Sequence, residues 1–187
     1  MRILSYFSFF LFFFMSATCA KEVEGVRIKD KIQLDEHVLY HYGSGVRSKF
    51  FFDLYVGSLY VEKENLSSGD ILSSLYYAAV RVNIISKLIT TEKLIKAINE
   101  GFLVVTNNNT EKLETRIDAF KVILQRSEIK KGDQYTFYML PQKGLYIFKN
   151  GQYIDKIQGD DFSEKLFAIW ISNLAVDSQL AKKMLGQ

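Results

Sequence analysis

Gly43-Ser44-Gly45-Val46-Arg47-Ser48-Lys49-Phe50-Phe51-Phe52-Asp53-Leu54-Tyr55-Val56-Gly57-Ser58-Leu59-Tyr60-Val61 is the stretch on which the reading of this chain turns. Gly43 and Gly45 predict a turn, and the aromatic and β-branched run from Phe50 to Val61 predicts a long strand. Arg47 stands between the two. A guanidinium at the mouth of an apolar strand can hold a carboxylate or carbonyl oxygen in fixed geometry while the strand supplies an apolar wall. Because side chains alternate across a strand, either Phe50, Phe52 and Leu54 or Phe51 and Asp53 can line such a pocket, not both sets.

Upstream of this segment, Arg2 precedes an apolar run from Ile3 to Met15, and Ser16-Ala17-Thr18-Cys19-Ala20 offers small residues before Lys21. That is the pattern of a secretory signal peptide over residues 1–20, cleaved after Ala20. The run is shorter than the ~20 apolar residues needed to cross a bilayer, so no stable membrane span is expected after cleavage. The expected location is periplasmic or otherwise exported. Cys19, the only cysteine, falls inside the leader, so the domain over residues 21–187 is expected to carry no disulfide and no thiol nucleophile. A chain of this length can bury a core without such staples.

Without Arg2, 23 basic residues face 21 acidic ones, and the Lys and Arg residues are scattered along the chain. Nucleic-acid binding, which needs a concentrated basic face, is disfavoured. His37 and His41 are the only histidines. They lack a third nearby ligand, so no metal site is expected. Gly43-Ser44-Gly45 precedes a strand, not a helix, and so does not form a phosphate loop. No sequence motif calls for a cofactor.

Working downstream, the mature chain opens with strands at Val23 to Ile28, Lys31 to Leu34 and Val38 to Tyr42, then the long segment from Phe50 to Val61. A short helical turn follows Ser67-Ser68-Gly69-Asp70. From Ala78 to Ser86, Val80, Val82 and Ile84 alternate with Arg81 and Asn83, as expected of a strand. Thr91 caps a predicted helix that Gly101 ends, and a second helix runs from Thr110 to Lys131-Gly132 with Leu113, Ile117 and Phe120 on one stripe. Three strands joined by Pro141-Gln142-Lys143-Gly144 and by Asn150-Gly151 predict a meander, since Asn-Gly favours the left-handed conformations of a two-residue hairpin. Helices at Asp161 to Ile171 and Asp177 to Leu185 close the chain. The predicted class is α+β, one antiparallel sheet with helices layered on one face.

This order, with Gly43-Ser44-Gly45-Val46-Arg47, Leu54-Tyr55-Val56-Gly57-Ser58-Leu59-Tyr60-Val61, Lys149-Asn150-Gly151 and Phe162 through Leu166-Phe167-Ala168-Ile169-Trp170 to Leu185-Gly186, resembles the chalcone isomerase-like family. The likeness is greatest to its exported bacterial branch and spans the mature chain. The resemblance implies an open-faced β-sandwich with a cleft between sheet and helices. It also implies an arginine that faces the ligand and a hydroxyl residue on the next strand that assists it, matched here by Arg47 and Tyr55. The family includes plant enzymes that close a chalcone ring and non-catalytic relatives that bind fatty acids. The plant enzymes carry a tyrosine at the head of the helix that starts here near Thr91, where this sequence reads Thr90-Thr91-Glu92-Lys93-Leu94.

Three functions follow as expectations. The first is an exported, non-catalytic binding protein for a small amphipathic acid of fatty-acid type, held by Arg47 and Tyr55. The second is an isomerase of the chalcone type, an intramolecular lyase with the same two residues in catalytic roles. The third is a protein-interaction module with an unknown protein partner. Against the first two stands a purely structural role in which Arg47 pairs with an acid such as Asp53 and holds the turn.

Overall fold

Local turn chemistry builds the second half of the molecule. In the structure, a computed structural model that describes residues 21–187, Asn150 and Gly151 adopt φ of 52° and 80°, as the Asn-Gly pair requires. The predicted leader, with Cys19, lies outside the described residues. A small hairpin of β1 (Glu22–Val23) and β2 (Val26–Arg27) precedes a single seven-stranded antiparallel sheet. Its strands are β3 (Lys31–Leu34), β4 (His37–Lys49), β5 (Phe52–Val61), β6 (Ala78–Ile84), β7 (Gln134–Leu140), β8 (Gly144–Lys149) and β9 (Gln152–Ile157), neighbours in chain order throughout. The helices are α1 (Ser68–Leu72), α2 (Thr91–Val105), α3 (Glu114–Gln125), α4 (Asp160–Ile171) and α5 (Ser178–Met184).

The alternation read from β6 sorts the two faces of the sheet. Val80, Val82 and Ile84 join Leu59, Phe137, Met139 and Ile147 in the main core, against Phe102, Phe120, Phe162, Leu166 and Trp170 from the helices. Phe120 sits edge-on to Phe137 and to Phe162 at 5.6 and 5.8 Å between ring centres, and burying each such ring contributes about 1.5 to 3 kcal/mol. On the other face, Ile32, Leu39, Tyr60, Ala79, Tyr138 and Leu140 form a smaller cluster. The sheet curls far enough there for the Tyr138 hydroxyl of β7 to reach the Gln33 carbonyl of β3 at 3.5 Å. The predicted architecture is the observed one, a curled antiparallel sheet with helices on one face.

Several local expectations are corrected. The predicted turn at Gly43 and Gly45 is the middle of β4, and the chain reverses instead between Lys49 and Phe52, with Phe50 at φ 58°. The glycines are needed for close approach. A Cβ on Gly43 would collide with the Lys183 and Met184 carbonyls of α5, and one on Gly45 would stand 2.8 Å from the Lys183 side chain. Gly101 likewise does not end its helix. It lies buried inside α2, where a Cβ would come within 2.9 Å of Ile169 on α4. Thr90, not Thr91, caps α2, and α3 stops at Gln125.

Candidate functional site

Arg47 and Tyr55 are directly opposite one another in the β4–β5 ladder, just before a bulge between Arg47 and Ser48. Both face the helices. Arg47 Nη1 donates to the Asp177 carboxylate at 2.6 Å, and the two side chains keep 23% and 15% of their surface exposed. Asp177 comes from the far end of the chain because it caps α5, accepting from the Gln179 and Leu180 amides at 3.0 Å each. The close seat of α5 on Gly43 and Gly45 brings that cap to Arg47. Asp53, the partner expected from sequence, instead accepts a hydrogen bond from Ser48 Oγ at 2.6 Å.

Tyr55 is half-buried, and Trp170 Nε1 on α4 donates to its hydroxyl at 3.0 Å. Burial pushes the Tyr55 phenol up to about 12, with the Trp170 N–H and the Arg47 charge acting against that rise. Tyr55 is therefore a neutral phenol at physiological pH, with its own proton to give. The Asp177 carboxyl is held below its ordinary value: burial works against this, and the Leu180 amide and the Arg47 guanidinium outweigh it. The result is two hydrogen-bonded pairs, guanidinium with carboxylate and indole N–H with phenol, anchored on neighbouring strands at the seam between sheet and helices.

The aromatic residues expected to line a pocket here do not do so. Phe50, Phe51 and Phe52 form the exposed tip of the β4–β5 hairpin, 85%, 100% and 57% accessible, and only Leu54 and Tyr55 from that segment's start pack against the main core. Three surface clefts lie away from the Arg47–Tyr55 pair, one on the open face of the sheet, one beside Val105 and Leu113, and one around Thr90 and Ile129. At the head of α2, Thr90 Oγ1 accepts from the Lys93 amide and Thr91 Oγ1 from the Ile129 amide, so both hydroxyls serve the backbone. His37 stacks on Tyr77 at 3.6 Å, and His41 shares a 3.1 Å hydrogen bond with Ser44 Oγ. Among the described residues no group of His, Cys, Asp and Glu could hold a metal ion.

The sequence model of the chalcone isomerase-like family matches residues 20–186. The chain belongs to the chalcone isomerase-like family. The crystal structure of an Arabidopsis thaliana fatty-acid binding protein has the same fold, with a TM-score of 0.69 at 13% identity over 87% of this chain and 92% of that one. No curated protein matches the sequence. Of the family's expected pair, Arg47 and Tyr55 are brought together; Asp177 and Trp170 were not read as partners. Asp177 was legible only as a helix start, because nothing in a sequence reveals a contact across 130 positions.

Proposed function

We propose that the protein is an exported, non-catalytic binding protein for a small amphipathic acid of fatty-acid type, with Arg47 and Tyr55 gripping the carboxylate. The observation that carries this reading is the Asp177 carboxylate on Arg47, 2.6 Å away and one cross-strand step from the Tyr55 phenol. A carboxylate already occupies the place a ligand's head would take. Exchange of one for the other preserves charge balance at the guanidinium, and Asp177 keeps the Gln179 and Leu180 amides when it lets go. Tyr55 adds a neutral donor, since Trp170 uses its oxygen and leaves its proton.

An acyl chain would then run inward under α5. That helix has seven residues and rests on Gly45 and Gly57 through Leu180, Lys183 and Met184. The fatty-acid binding activity of the Arabidopsis relative supports the ligand class. The leader-like pattern of residues 1–20 supports export, and a mature protein beginning at Lys21 is the expected result of N-terminal sequencing from cells.

Native mass spectrometry of protein purified from its own host tests the ligand. A bound long-chain acid is expected on the wild type and its loss on Arg47→Ala. Ligand-free protein that also takes up no added fatty acid would contradict the proposal. Turnover of naringenin chalcone above the spontaneous rate, abolished by Arg47→Ala, would place the protein with the ring-closing isomerases instead.

A further inference from the structure

The open face of the sheet holds a second arginine in a different electrostatic state. Arg81 on β6 is 9% exposed, yet it makes no ion pair with any carboxylate among the described residues. Residues 1–20 contain no Asp or Glu that could supply one. Its Nε donates to Thr136 Oγ1 at 3.1 Å and its guanidinium lies 5.3 Å from the centre of the Tyr60 ring. The other groups beside it are the Tyr60 and Tyr138 hydroxyls, neutral phenols that burial pushes upward in pKa and the Arg81 charge pulls down. A cation–π contact and neutral acceptors offset only part of the cost of desolvating a charge.

Register sets this arginine in a polar row. Ser44, Ser58, Arg81 and Thr136 are successive cross-strand partners on β4, β5, β6 and β7. Ser58 is fully buried and its Oγ has no hydrogen-bond partner. Of this row, Arg81 and Thr136 line a cleft of about 450 Å³ between the curled β3–β4 hairpin and β6–β8. Lys29 and Lys31, both exposed, stand on its rim, and Ile32, Val38 and Phe148 supply apolar wall. Asp30, between the two lysines in sequence, is not part of the lining.

From this we infer that the open face binds a small organic phosphate, its phosphate seated on Arg81 with Lys29 and Lys31 closing over it and its apolar body against Ile32, Val38 and Phe148. Three cations with no acid in the lining suit a dianionic head better than a monocarboxylate, and a guanidinium fork matches two phosphate oxygens at once. The volume suits a ligand of a few rings. This site is separate from the one at Arg47, which lies on the opposite face, and does not depend on it.

The test uses phenyl phosphate, inorganic phosphate and benzoate as probes, titrated into the protein while backbone amide NMR shifts are followed. Phenyl phosphate is expected to give saturable shifts at Ser58, Arg81 and Thr136, with benzoate and inorganic phosphate each about tenfold weaker or worse. Arg81→Gln should weaken phenyl phosphate at least tenfold. The double change Lys29→Ala with Lys31→Ala, confined to exposed side chains, should weaken it several-fold and flatten its salt dependence, even if Arg81→Gln does not fold. Arg47→Ala should leave it unchanged. Absence of saturable shifts in this row, benzoate binding as tight as the ester, or binding indifferent to the lysine changes would overturn the inference.

Discussion

Arg47 and Arg81 lie on strands of one sheet separated only by β5, and they face opposite ways. On the helix-covered face, Arg47 is matched by a carboxylate that a helix cap delivers from the end of the chain. On the open face, Arg81 is more deeply buried and faces only hydroxyls and an aromatic ring. The difference shows what a covering layer does. A docked helix brings its own counter-charge to Arg47, whereas on the open face Arg81 has no carboxylate partner among the described residues.

The docking of α5 is where this comparison breaks most easily. Gly43→Val puts a side chain into the Lys183 and Met184 carbonyls, and the expected loss is about 3 kcal/mol or more in urea unfolding, with the Arg47–Asp177 pair broken as α5 lifts. Asp177→Ala removes both a cap and a charge partner, for an expected loss of about 1 to 3 kcal/mol at neutral pH. Because the folded Asp177 carboxyl lies below its ordinary value of 3.8, its contribution is fully present above that value and is lost as pH falls through the lower, folded one. The gap between wild type and Asp177→Ala should therefore close in acid, and a gap that widens there would contradict the pairing.

Smaller effects sharpen the picture. Tyr55→Phe leaves the Trp170 N–H without its acceptor and should cost about 1 to 2 kcal/mol, with a shifted emission from Trp170, the only tryptophan. Phe51→Ser, at the fully exposed hairpin tip, should change stability by less than about 0.5 kcal/mol and leave acid binding intact. Loss of binding in that variant would return the Phe50–Phe52 segment to the ligand site.

What could be read from sequence followed the range of the forces involved. The Asn150-Gly151 hairpin, the alternation of β6 and the inward stripe of Leu113, Ile117 and Phe120 are local, and all three were legible. Gly43, Gly45 and Gly101 were misread as turn or stop signals because their requirement is contact with another helix, which composition does not reveal. Phe50 and Phe51 looked like strand by propensity, yet the hairpin reverses there, with Phe50 in a left-handed conformation, and the strand begins at Phe52. Arg47 and Tyr55 stood out, but their partners Asp177 and Trp170 lie 130 and 115 positions away. Arg81 was visible as the polar member of an alternating strand; its burial comes from the curl of the sheet.

In the proposed function an incoming carboxylate displaces Asp177 from Arg47 beside Tyr55. Trp170 reports on that event directly, being hydrogen-bonded to the Tyr55 hydroxyl. Titration of the protein with a long-chain fatty acid should give a saturable change in tryptophan emission, at least tenfold weaker in affinity for Arg47→Ala. A flat emission across the titration, or a curve that Arg47→Ala leaves in place, would contradict the account.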